Sequence, residues 1–132
     1  MAGEYTAVLA AIHARLSAIA ALKVKYVGEP PAVQEWPALY SVLVAADWAQ
    51  VGQIDVRRYQ TQHRVLVNYQ DRQQGEQELA ALVDGVLDAL GDPYLAPGQQ
   101  ITEVLNIRAG WIDVGDTEFR VLEFTTKVLV KQ

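Results

Sequence analysis

A nucleophile of the serine type with an imidazole base could come only from the histidines His13 and His63 and the serines Ser17 and Ser41. A serine nucleophile needs a base beside it and a strained turn that presents its hydroxyl. Ser41 instead lies inside an apolar run with no Gly-x-Ser-x-Gly elbow around it, so no pairing of these four residues makes a recognisable nucleophile and base. The absence of cysteine removes thiolate chemistry, thiolate metal sites and disulfides, and it suits a protein made in a reducing cytoplasm. Metal binding would fall to the histidines and carboxylates, and His13 has no second ligand at metal-binding spacing beside it. Asp84 and Asp88 stand at i, i+4 but lack a third ligand and fall on the polar side of their helix. No catalytic residue, cofactor or metal is therefore expected, and an enzyme is the least favoured class.

Charge narrows the choice further. The net charge is −5 at pH 7, whereas a general grip on nucleic acid needs several clustered cations facing phosphates. Only Arg57-Arg58 and Arg64 come close together, and on a strand Arg57 faces away from the other two. No run reaches the roughly 18 to 20 apolar residues of a membrane span, and the start, Met1-Ala-Gly-Glu-Tyr, lacks the basic opening of a secretory signal. A soluble chain of 132 residues, half of them apolar, is expected to form one domain spanning residues 1–132.

The elements that would position these residues centre on Arg57 to Leu90. Tyr59, Thr61, His63, Val65, Val67 and Tyr69 alternate with Arg58, Gln60, Gln62, Arg64, Leu66 and Asn68, the period of a half-buried strand. Tyr59, Val65 and Val67 are expected to lie buried under a helix, with His63 among them and neutral, and Arg58, Gln60, Gln62 and Arg64 to face solvent or a neighbouring subunit. The helix follows, with Leu79, Leu82, Val83, Val86, Leu87 and Leu90 in one apolar stripe. Gly91 and Asp92-Pro93 end it. Asp71 to Gly75 carries the chain into this helix.

An earlier helix is expected over Glu4 to Leu22, with Tyr5, Val8, Leu9, Ile12, Leu16 and Ile19 on its core side. Its back carries Ala7, Ala10, Ala14, Ala18 and Ala21, which reads either as plain helix-forming alanine or as a face that a second surface approaches closely. Lys23 to Pro37 reads as an extended connector punctuated by Gly28, Pro30, Pro31 and Pro37, in which Trp36 is either an interface anchor or folded over its own core. Leu39 to Ala46, with Tyr40, is a buried strand, and Trp48 to Gly52 turns it into the next. Tyr94 to Gln100 reads as a loop. Two strands, Thr102 to Val114 and Glu118 to Val130, then pair about a Gly115-Asp116 turn. The expected fold is α+β: a mostly antiparallel sheet of about four strands with two amphipathic helices packed on it.

In this order of elements the chain resembles the tail terminator (tail completion) family of long-tailed phages, including the related minor tail proteins of prophages and gene transfer agents. The likeness spans nearly the whole chain. It is carried by the opening Tyr5 to Leu22 and by Trp36-Pro37-Ala38-Leu39-Tyr40. The run Arg58-Tyr59-Gln60-Thr61-Gln62-His63-Arg64-Val65-Leu66-Val67, leading into Leu79 to Leu90, and the closing Phe119 to Val130 complete it. None of these is a catalytic signature. The resemblance implies a virion protein, assembled in the host cytoplasm, that forms a ring, commonly a hexamer, on the head-proximal end of the tail tube. Its partners would be other copies of itself, the tail tube protein and the head-completion proteins, with DNA passing through the lumen unheld. Two other roles stay open, another phage neck protein and a small cellular adaptor. The residues expected at subunit or partner contacts are Ala7, Ala10, Ala14, Ala18, Trp36, Tyr40, Arg58, Gln60, Gln62 and Arg64.

Overall fold

The computed structural model describes residues 3–19, 22–33, 35–67 and 72–131. In chain order its elements are α1 (Glu4–Leu16), β1 (Val24–Val27), β2 (Ala38–Val51), β3 (Ile54–Val67), α2 (Arg72–Ala89), β4 (Tyr94–Ala96), β5 (Gln99–Val114) and β6 (Thr117–Lys131). The strands form one six-stranded sheet in the order β1-β2-β3-β6-β5-β4. β1 runs parallel to β2, so the sheet is mixed. This corrects the expectation of about four mostly antiparallel strands.

Both added strands fall in stretches that read as loop. Gly28 and the prolines do break the chain, but only after four residues have paired, Val24 to Val27 against Ala38 to Ser41. The pairing is closed at its ends by Lys23 N–H donating to the Pro37 carbonyl at 2.9 Å and Gly28 N–H to the Ser41 carbonyl at 2.8 Å. Residues 28–37 thus return the chain to run in the same direction, as a parallel pair requires. β4 is three residues long and pairs with the start of β5 through a tight turn in which Gly98 has φ +78°.

Three boundaries also shift. α1 stops at Leu16 rather than Leu22. The Ser17 hydroxyl donates to the His13 carbonyl, and the next bonds tighten to i−3, Ala18 to Arg15 and Ile19 to Leu16. This brings Ile19 against Gly85 of α2, where an added Cβ would stand 3.2 Å from its side chain. Tertiary packing therefore overrides the helix propensity of the alanine-rich run. β2 continues through Trp48 to Val51, and the turn is Gly52-Gln53. α2 begins at Arg72, ahead of Gly75. Ala21, Asn68, Tyr69 and Asp71 lie outside the described residues.

The sheet buries apolar side chains on both faces. Under the helices, Val8, Ile12 and Leu16 of α1, Leu79, Leu82 and Val86 of α2, and Leu90 just past its end pack on Val65, Val67, Leu122, Phe124 and Val128. Each such side chain contributes roughly 1.5–3 kcal/mol when fully buried. On the opposite face, Tyr40, Leu66, Val114, Phe119 and Val121 form a second cluster, closed by Tyr26, Val33 and Trp36 from β1 and the connector. The expected register of β3 is present: Thr61, His63, Val65 and Val67 are buried beneath the helices, and Arg58 is exposed on the other face. Tyr59, expected to be buried, is half-buried, because its hydroxyl reaches the Glu4 carboxylate at 2.7 Å. Leu87, expected in the core stripe, is 52% exposed, since it lies at the margin of the stripe where nothing covers it.

Candidate functional site

The alanine face of α1 is open. Ala7, Ala10, Ala14 and Ala18 are all exposed. Ala10 and Ala14 line a groove of ≈ 490 Å³ between α1 and β1, completed by Leu9, His13, Lys25 and Val27. Val27 is 76% exposed, and nearby on the β2 edge Leu43 and Val44 are each 52% exposed. The apolar surface at this end of the molecule is therefore contiguous with an edge of the sheet.

The other expected contact residues lie on the face opposite the helices, where cross-strand register sets their neighbours. Arg64 stands between Tyr40 and Glu123, with Arg108 beyond. Its guanidinium donates to the Tyr40 hydroxyl at 2.9 Å and to Glu123 at 3.0 Å, and Arg108 donates to the other Glu123 oxygen at 3.1 Å. Burial pushes the Tyr40 hydroxyl above its ordinary pKa, with the Arg64 hydrogen bond working against that shift. Tyr40 is 1% exposed and belongs to the core. Trp36 sits edge-on to Phe119, ring centroids 6.1 Å apart, with its indole N–H buried and without an acceptor among the described residues. Trp36 is thus folded over its own core. Gln62 pairs with Thr125, Gln60 with Lys127 and Arg58 with Leu129. Arg58 and Gln60 line a shallow hollow with Asp47, Glu103 and Lys127. Its cations and carboxylates are interleaved, so it is not a phosphate-binding patch.

One constellation was not legible from the sequence. His13 Nε2 lies 2.9 Å from the Ser41 hydroxyl, Ser41 lies 2.7 Å from His63 Nδ1, and His63 Nε2 lies 2.9 Å from the Thr126 hydroxyl. The register of β2 on β3 puts Ser41 opposite His63. Only the packing of α1 adds His13. His63 is fully buried and stacks on Phe124 at 5.0 Å, and desolvation, with His13 nearby, holds its pKa down to about 3. Burial, then Lys25, lowers that of His13. A serine between two imidazoles is a chemically suggestive trio, but Ser41 is 2% exposed and its oxygen is occupied by both rings. The chain satisfies polar groups inside the helix–sheet layer. Among the described residues no three His, Asp or Glu side chains gather to hold a metal. Asp84 and Asp88 are exposed, as expected. No described helix is long and apolar enough to cross a membrane.

No protein-family model matches the chain, and no curated protein matches it. Among solved structures, a chain of the "Virion of native gene transfer agent (GTA) particle" is similar to it, with 17% sequence identity and a TM-score of 0.48. The alignment covers 91% of this chain and 92% of that one. A likeness of that depth decides neither fold nor role.

Proposed function

We propose that this chain is a structural subunit of a phage-type virion that closes into a ring on the head-proximal end of the tail tube, stops tube growth and offers its far side to the head-completion proteins. The observation that carries the reading is the pair of unlike open edges on the sheet. Beyond Ser41, β2 has no outer neighbour among the described residues, and Leu43, Val44 and Trp48 are exposed there. At the other end β5 is covered by β4 only at Gln99 and Gln100, and its edge is broken by two bulges and by Asn106 at φ +57°. β5 thus carries two bulges and a positive-φ residue, irregularities that keep an edge from pairing indiscriminately, while β2, with one bulge between Leu43 and Ala45, presents a more apolar edge. Unlike ends favour a heterologous contact, which repeats in one direction and closes into a ring when the rotation between copies divides a full turn. The reading includes no catalysis, which fits the burial of Ser41. A net charge of −5 suits a lumen through which a polyanion slides without being held.

The test is to add the purified chain to growing tubes of its cognate tail tube protein and measure tube lengths by electron microscopy. Growth should stop, with a ring at one end only. Tubes that elongate as they do without the chain, or that carry single subunits along their sides, would remove this reading.

A further inference from the structure

We propose that the groove between α1 and β1 receives the outer side of α2 from a second copy of this chain. The proposal rests on the ring reading above and names the contact that builds the ring. The groove is apolar but for His13 at its wall, the hydroxyls of its rim and one cation, Lys25. The surface that fits it lies at the opposite end of the helix layer. On α2, Ala80, Val83 and Leu87 follow i, i+3, i+7 and form a ridge on the side turned to β5, where Ala80 and Val83 line a shallow hollow with Ile107 and Ala109. Gly85, on the other side of α2, meets Ile19 from the segment after α1. Ridge and groove therefore point away from each other within one subunit, and no single copy can bring them together.

Shape and charge both match. Alanines at Ala10 and Ala14 on one surface and Ala80 on the other let two helices approach to about 8 Å, the short end of helix packing distances. Leu87, 52% exposed, supplies the projecting side chain, and Val27, 76% exposed, the apolar floor it would cover. Asp84 stands beside the ridge as Lys25 stands beside the groove, and neither has an ion-pair partner among the described residues. One unpaired acid on the ridge thus meets one unpaired lysine in the groove. The contact joins different surfaces, so it adds copies head to tail and sets the open β5 edge of one beside the open β2 edge of the next.

The native absence of cysteine makes the contact directly testable. In the full chain carrying both Ala14→Cys and Ala80→Cys, mild oxidation in the presence of cognate tail tubes should give a disulfide ladder that ends at the ring number. Each single cysteine variant should stay uncrosslinked, because a head-to-tail contact never brings like positions together. Lys25→Glu or Asp84→Lys alone should weaken assembly on the order of tenfold, and the two together should recover it. Both sites are exposed, so the thermal melts of these variants should match the parent. Self-crosslinking of Ala14→Cys alone, or a charge-reversed pair no better than either single change, would overturn the proposal. So would tubes capped by the parent chain on which the double cysteine variant gives no ladder, and in that case the ring reading stands. If the ladder forms in solution while the parent chain fails to cap tubes, the contact stands and the capping role falls.

Discussion

Between Ser41 and Thr126 the His63 ring has a hydroxyl for each nitrogen, so the neutral imidazole donates at one and accepts at the other. Protonating it would place a charge in a site that disfavours it, and its folded pKa of about 3 lies well below the ordinary 6.5. The native state then binds fewer protons than the unfolded chain between those values. The contribution is fully present above pH 6.5 and is lost as the pH falls toward 3. By pH 5 the loss from this residue is on the order of 2 kcal/mol, and His13 shifts in the same direction. Urea unfolding at pH 7 and pH 5 should show the drop, and His63→Gln should shrink the difference between the two. Val65, 1% exposed beneath the helices, tests the register itself. Val65→Asp should leave no cooperative unfolding transition, because an unpaired buried carboxylate costs several kcal/mol.

At the scale of elements, the turn between β5 and β6 does more than reverse the chain. Gly115 has φ +62°, and a Cβ there would stand 2.9 Å from the Pro31 carbonyl oxygen in the connector. Gly52, in the β2–β3 turn, has φ +66° with open space around it. Gly52→Ala should therefore cost about 1 kcal/mol for the backbone alone, and Gly115→Ala about 2 to 3 kcal/mol, the excess measuring the contact with Pro31. Equal shifts in melting temperature would remove that contact from the account. The period-two strand, the helix stripe and the Gly115-Asp116 turn were legible because each is a local pattern. β1 was not, since four residues beside Gly28 become a strand only through a partner that begins at Ala38. The end of α1 was hidden because Ser17 stops a helix that alanine would extend, for the sake of Ile19 on Gly85. Leu87 read as core because its spacing is right, while what covers it is a matter of distance between elements. The relay from His13 to Thr126 needed three elements in register at once.

At the scale of the molecule, the open β2 edge should govern association. Val44→Lys, on an exposed residue at the bulge between Leu43 and Ala45, should leave the melting temperature within about 1 °C of the parent and reduce concentration-dependent association in sedimentation. An unchanged sedimentation profile would mean that the edge takes no part. The order of strands in the sheet also sets how the chain can fold. The hairpins β2–β3 and β5–β6 are local, but the central ladder joins β3 to β6 across separations from 53 residues, at Val67 and Arg120, to 75, at Val56 and Lys131. The sheet is thus two quickly formed halves joined by a slow seam, since distant pairing bears the entropy of closing the loop between them. During synthesis β3 must wait with one side bare until β6 has emerged to lie beside it, and through that interval His63 and Val65 have only half of their eventual neighbours.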